Sequence, residues 1–134
     1  VELPSQFMEN WCYHRPTING IAKHYQTGEV LPEALYQKIV KARNYRAASM
    51  MMRQIHFAST DLALHSSYPA DGTSNIYALE KSIAAGTMVM QSLEEDRFLC
   101  GFGHIFAGGY SAGYFSYKWA EVLSADAFSA FEET

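Results

Sequence analysis

The chain has 134 residues, of which 49% are hydrophobic and 18% charged, and its net charge is −4 at pH 7. These values are typical of a globular domain and exclude the disordered and fibrous classes. No basic stripe is available to neutralise phosphates, so the sequence argues against a nucleic-acid-binding protein. No apolar run is long enough to span a membrane, so we expect no membrane partner.

The apolar spacing predicts an all-α chain, because no run of alternating residues is long enough for a strand. Proline, glycine and polar clusters separate the helical segments. The predicted helices cover residues 6–14, 17–25, 31–43, 45–65, 76–90 and 114–131. Ser5 is the expected N-cap of the first helix. We find no linker that would divide the chain into two domains.

The helical periodicity also predicts which side chains are buried. Leu35, Ile39 and Ala42 share one face of the third predicted helix. The longest helix is expected to bury one continuous stripe, made of Ala48, Met51, Met52, Ile55, Ala58, Leu62 and His65.

The two cysteines are too few and too far apart for a disulfide framework. Cys12 lies in an apolar helical stretch, so we expect a buried free thiol there, and Cys100 stands far along the chain. This cysteine usage favours a reducing compartment, either the cytoplasm or an organelle matrix.

The segment 101–117 combines five glycines with several aromatic residues. Tyr110, Tyr114 and Tyr117 are four and three residues apart, so one helical face could present them together, and His104 precedes Tyr110 by six residues. Phenols and an imidazole can donate hydrogen bonds to a developing negative charge. The same pattern also fits close helix packing with half-buried tyrosines, and the residue types by themselves favour this second interpretation.

The motifs of several enzyme classes are missing. There is no H-E-x-x-H, no His/Cys cluster with zinc spacing, no phosphate-binding loop and no G-x-S-x-G. His56 and His65 are nine residues apart and do not share a helix face, so they do not form a metal-binding pair. The chain by itself therefore contains no complete metal site.

Two long segments resemble a known family. Residues 1–11 read VELPSQFMENW and resemble a signature of the thimet oligopeptidase family of zinc metallopeptidases. Residues 104–121 read HIFAGGYSAGYFSYKWAE and resemble a second signature of that family, and residues 24–32 are similar to its oligopeptidase A branch. The two long segments stand in the family's order, and the resemblance spans nearly the whole chain.

The resemblance implies an all-α fragment of the catalytic domain of a larger, mostly helical zinc metallopeptidase. Residues 1–134 would then be a partial domain, truncated at both ends. The full-length enzyme would hold one Zn²⁺ through the two histidines of H-E-x-x-H, expected upstream of Val1, and through Glu2 as the third ligand. Two histidines and one glutamate form a recurrent catalytic zinc set that leaves a position for water. The fragment alone is not expected to hold zinc or to be active.

The resemblance also implies roles in the hydrolysis of peptide bonds in short oligopeptides. Tyr110 and Tyr117 would hydrogen-bond the tetrahedral intermediate. The implied substrate-binding residues are His104, Gly108, Gly109 and Tyr114. The two glycines would let the loop close over the peptide.

Two other interpretations stay open. The chain could be a non-catalytic α-helical interaction module, or a helical bundle without a site whose Tyr110 and Tyr117 are buried in its core. A truncated domain would leave apolar surface uncovered, so we expect the fragment to self-associate through it.

Overall fold

A computed structural model describes residues 1–133. Its helices are α1 (Leu3–Asn10), α2 (Arg15–Ile21), α3 (Glu33–Ala42), α4 (Ala47–Ser66), α5 (Ile76–Thr87), α6 (Phe98–Gly101) and α7 (Ser116–Glu132), with 3₁₀ turns at Trp11–Tyr13 and Gly103–Ile105. Within the described residues the only β-type pairing is one isolated bridge between Lys23 and Val30. The predicted all-α fold class is confirmed. None of the helices in this range is both long enough and apolar enough to cross a membrane.

The start of the chain differs from the predicted helix boundary. α1 begins at Leu3 with Glu2 at its N-cap position, and the predicted cap by Ser5 is wrong. Pro4 occupies the first turn, where its missing N–H costs nothing, so the helix can begin before Ser5. Cys12 lies in the 3₁₀ turn that follows and is exposed, so its predicted burial is also wrong. The tighter turn after Asn10 takes the chain off the helical face on which burial was predicted.

The chain forms two compact units. The first, here called the terminal unit, contains residues 1–47 and the chain from Tyr117 onward, and therefore holds α1, α2, α3 and nearly all of α7. The second, the central unit, contains residues 48–116, with most of α4 and all of α5 and α6.

In the terminal unit, α1 packs along α7 in the same chain direction. The Gln6 side-chain amide donates to the Tyr117 carbonyl at 2.9 Å, and one turn later Asn10 Nδ2 donates to Ser124 Oγ at 2.9 Å. Beyond these bonds the Trp11 ring meets the Phe128 ring edge to face, with centroids 5.1 Å apart. Such pairs contribute about 0.5–1.5 kcal/mol beyond the area they bury.

The buried face of α3 is not the predicted one. Leu35 and Ile39 are 47% and 41% exposed. The face that turns inward carries Tyr36, whose hydroxyl donates to the Tyr13 carbonyl at 2.8 Å and whose ring lies under the Arg15 guanidinium at 4.6 Å. A hydrogen bond and a cation–π contact therefore decide the orientation of α3, and apolar spacing does not report either of them.

The core of the central unit lies against α4. Its buried residues on that helix are His56, Phe57, Thr60 and Asp61. The predicted stripe is wrong in detail, since none of its seven members is fully buried and Met51 and Leu62 are each 40% exposed. The face is shifted because the Phe57 ring stacks on the Phe98 ring with centroids 4.5 Å apart, and both rings pack on Phe102.

A buried imidazole joins α4 to α5. His56 is 3% exposed, and its Nε2 lies 3.0 Å from Glu80 Oε1 while its Nδ1 lies 3.2 Å from Thr87 Oγ1. Burial lowers the pKa of His56 below its ordinary value of 6.5, because desolvation outweighs the opposing attraction of the Glu80 carboxylate. The nearby Arg53 charge lowers this pKa further.

This burial predicts a pH-dependent stability. The unfolded chain binds a proton at His56 more readily than the folded chain, so the free energy of unfolding falls as pH drops below about 6.5. We expect the His56→Gln variant to give a shallower dependence of the unfolding free energy between about pH 7.5 and pH 5 in urea denaturation. An unaltered slope in His56→Gln would contradict the assignment.

Candidate functional site

The glycine- and tyrosine-rich segment of the central unit is a loop between α6 and α7. We call residues 106–115 the tyrosine loop. Three of its residues have left-handed backbone conformations: Gly108 (φ +74°), Gly109 (φ +78°) and Ala112 (φ +55°). Glycine adopts this region freely, whereas a residue with a Cβ pays a steric cost. The two glycines therefore reverse the chain without strain, but Ala112 requires support from elsewhere.

The tyrosine loop places several predicted site residues together. The His104 and Tyr110 rings meet at an interplanar angle of 61° with centroids 4.9 Å apart, and the His104 and Tyr114 ring centroids are 5.7 Å apart. The Tyr110 ring packs against Gly108 and needs a residue without a side chain there, since a Cβ at position 108 would lie 3.1 Å from two ring carbons. His104 is exposed and Tyr110 is half-buried.

A buried carboxylate holds this loop. Asp61 is 0% exposed. Its Oδ1 accepts the Ala112 N–H at 3.0 Å, and its Oδ2 accepts the Tyr114 N–H at 3.0 Å. One turn along α4, His65 Nδ1 lies 3.1 Å from Asp61 Oδ1 and 2.9 Å from the Asp61 carbonyl oxygen. A carboxylate buried this deeply is tolerated only with such a set of donors.

Asp61 was missed at the sequence level, although a signal for it exists. An aspartate in the middle of a long apolar helix is seldom buried unless it is paired. His65 lies four residues further on, which is the spacing that brings two side chains together on a helix.

Tyr114 belongs to the core of the central unit. It is 9% exposed, its ring meets the Phe102 ring edge to face at 5.0 Å, and its hydroxyl donates to Gln54 Oε1 at 3.0 Å. These contacts fix the C-terminal side of the tyrosine loop. A role of Tyr114 in substrate binding stays a prediction.

The other two predicted site residues lie in the terminal unit. Glu2 stands at the N-cap position of α1, where Ser5 Oγ donates to its Oε2 at 3.1 Å. Tyr117 is half-buried in the first turn of α7. Since Gln6, one turn after Glu2, donates to the Tyr117 carbonyl, the starts of α1 and α7 are held together.

Glu2 offers one carboxylate, whereas a catalytic zinc takes three protein ligands. Among residues 1–133, no three His, Cys, Asp or Glu side chains are grouped so that they could hold a metal ion. The described residues do not by themselves supply the ligand set of a catalytic zinc ion.

All 134 residues match the model of peptidase family M3. The chain belongs to this family. The predicted family resemblance is therefore confirmed, and family M3 is a family of zinc-dependent metallopeptidases.

Two plant proteins and one bacterial protein are close relatives. The chain is 63% identical over 133 residues to the probable cytosolic oligopeptidase A of Arabidopsis thaliana, covering 99% of this chain and 19% of that protein. It is 63% identical to the organellar oligopeptidase A, chloroplastic/mitochondrial, of the same plant (99% and 17% covered) and 49% identical to oligopeptidase A of Escherichia coli strain K12 (99% and 20% covered). The chain thus spans about a fifth of the length of these relatives.

The loop geometry predicts unequal costs for adding a methyl group to Gly108, to Gly109 and to Gly103, which precedes the loop. Gly108→Ala meets both a positive φ and the Tyr110 ring, Gly109→Ala meets only the positive φ, and Gly103→Ala meets neither. A left-handed residue with a Cβ costs about 1–2 kcal/mol. We expect the loss of unfolding free energy in urea to follow the order Gly108, Gly109, Gly103. A Gly108→Ala variant as stable as Gly103→Ala would contradict the loop conformation.

Proposed function

We propose that this chain is part of the catalytic domain of a zinc-dependent oligopeptidase that hydrolyses peptide bonds in short peptides. The observation that carries the proposal is the contact between the exposed His104 imidazole and the Tyr110 ring, whose centroids lie 4.9 Å apart. Tyr110 belongs to the tyrosine loop, whose main chain is held by a buried carboxylate. Membership of family M3 supports the same chemistry. Under this proposal the domain extends beyond both ends of the chain, and the chain alone is inactive.

Tyr110 and Tyr117 are assigned to the tetrahedral intermediate. A phenol hydroxyl is a neutral donor, so it can bind the oxyanion without exchanging a proton with it at neutral pH. Donors fixed before the reaction need no reorganisation when charge develops, which makes such stabilisation effective. The tyrosine loop supplies that rigidity for Tyr110, and the first turn of α7 supplies it for Tyr117.

His104, Gly108, Gly109 and Tyr114 are assigned to substrate binding. His104 is exposed beside Tyr110, so its ring nitrogens can hydrogen-bond the main chain of a peptide. Gly109 has open space on its Cβ side, which leaves room for a peptide backbone to approach the loop closely, and Gly108 contributes by giving space to the Tyr110 ring. Tyr114 is buried in the core of the central unit, and its ring packs against the His104 ring and supports it.

Glu2 is assigned as one zinc ligand, with the histidines of an H-E-x-x-H segment outside these residues as the others. The bound ion would polarise the scissile carbonyl and activate a water molecule. The Ser5 hydroxyl, which donates to Glu2 Oε2, orients the carboxylate for this role.

The compartment and partners follow from the same proposal. The plant relatives are named cytosolic and organellar, which supports the cytoplasm or an organelle matrix as the location. Short peptides are the only partners proposed for the site. The chain on its own is expected to self-associate, because large apolar side chains of α7 such as Trp119 (63% exposed) and Val122 (65% exposed) face solvent.

The phenols are tested by removing one hydroxyl at a time. In the full-length protein, we expect Tyr110→Phe and Tyr117→Phe each to lower kcat on an internally quenched short peptide by about 100-fold, with little change in KM. The matched control is Tyr25→Phe, whose ring is 87% exposed and which should retain wild-type kcat. Variants at positions 110 and 117 with kcat close to wild type would contradict the roles assigned to the two phenols. A full-length wild-type protein that cleaves no peptide would favour the non-catalytic interaction module.

The assignment of Glu2 as a zinc ligand can be tested by measuring zinc affinity, independently of peptidase activity. We expect Glu2→Gln in the full-length protein to lower zinc affinity by at least about 10-fold, since the neutral amide is a weaker ligand than a carboxylate. Competition with a chelating dye measures this affinity directly. Glu29→Gln, at an exposed position, is the control. Equal zinc affinity in Glu2→Gln and Glu29→Gln would remove Glu2 from the ligand set.

A further inference from the structure

We infer that Asp61 is a positioning residue for the reaction, which acts by fixing the backbone that carries Tyr110. This inference rests on the proposed function. Asp61 is not itself assigned to the substrate or the metal. It reaches the site through the main chain of the tyrosine loop, whose N–H groups at Ala112 and Tyr114 it accepts at 3.0 Å each.

The connection from Asp61 to Tyr110 is continuous. The two carboxylate oxygens bind N–H groups on either side of Gly113, so the carboxylate clamps this turn. The Gly113 N–H in turn donates to the Tyr110 carbonyl at 2.8 Å. The main chain of Tyr110 is thereby tied to α4, and the Tyr110 ring lies against His104.

The clamp also explains the strained residue. Ala112 has φ +55°, a region that residues with a Cβ rarely adopt. Its N–H points at Asp61 Oδ1, so the hydrogen bond to a charged acceptor offsets the steric cost of this conformation. Strained backbone of this kind persists only where surrounding groups determine it.

The chemistry requires an ionised aspartate. An ionised carboxylate accepts at both oxygens, whereas an asparagine amide would turn one NH₂ group toward a main-chain N–H. On the helix side, His65 Nδ1 lies 3.1 Å from Asp61 Oδ1 and restrains the carboxylate. His65 therefore supports the clamp from outside the loop.

The first variant is Asp61→Asn in the full-length protein. Displacing a catalytic group by about 1 Å can cost about 100-fold in rate, so we expect kcat to fall by about 10- to 100-fold while KM changes by less than about 3-fold. Ala112→Gly, which accepts the left-handed conformation without a clamp, should restore part of the lost kcat in the Asp61→Asn background.

Two further variants separate positioning from general destabilisation. Thr60→Val removes a buried hydroxyl next to Asp61 that donates only to the His56 carbonyl at 2.8 Å, so kcat should stay at the wild-type value. His65→Phe retains a ring against Phe106 but loses the nitrogen beside Asp61, and kcat should fall by about 3- to 10-fold. If Asp61→Asn does not fold, His65→Phe takes its place as the test of the clamp.

Amide hydrogen exchange gives a readout independent of catalysis. In the wild type, the Ala112 and Tyr114 amides should exchange slowly, and in Asp61→Asn or His65→Phe they should exchange faster than the amides of α5. The inference would be overturned if the Ala112 and Tyr114 amides exchanged as slowly in Asp61→Asn and His65→Phe as in the wild type. It would also be overturned if Thr60→Val lost as much kcat as Asp61→Asn. If the wild-type protein cleaves no peptide although both amides depend on Asp61, the proposed function fails while the clamp stands.

Discussion

The central unit depends on one buried charge. A carboxylate removed from water must find donors, and Asp61 finds them in the tyrosine loop. The loop in turn lacks regular secondary structure of its own to fix its main chain, since it follows a short 3₁₀ turn and reverses at two left-handed glycines. The N–H groups of the loop supply donors to the Asp61 carboxylate, and the carboxylate supplies acceptors to the loop. The cost of burying the charge and the cost of ordering the loop are offset by the same two hydrogen bonds.

The terminal unit achieves order in a different way. Its helices α1 and α7 are joined by side-chain amides of Gln6 and Asn10 and by a cluster of aromatic rings around Trp11. The amide bonds set the register between the helices, because each joins a defined position of α1 to an acceptor on α7, while the rings supply burial without strong directionality. The register brings the starts of both helices together, and these starts carry Glu2 and Tyr117. In each unit, polar contacts outside the regular helical ladder position the residues assigned to chemistry.

The sequence predicted the helical class and the approximate place of the main helices, because periodicity and proline or glycine punctuation are local signals. It predicted the family from two long segments, and the family match confirms this. The buried faces of α3 and α4 were wrong, since apolar spacing does not reveal which face a distant partner covers. The role of Asp61 was not predicted either, because its main-chain donors lie about 50 residues away along the chain. Only folding brings these donors to the carboxylate.

The roles proposed for Glu2, Tyr110 and Tyr117 can be tested together in a single structure. The measurement is a crystal structure of the full-length protein with a phosphinic peptide, a mimic of the tetrahedral intermediate, with data collected at the zinc absorption edge. The account predicts an anomalous peak about 2.0–2.2 Å from a Glu2 carboxylate oxygen. It also predicts the Tyr110 and Tyr117 hydroxyls about 2.7–3.1 Å from phosphinate or adjacent peptide oxygens. A zinc ion bound without Glu2, or an inhibitor that neither phenol contacts, would contradict it.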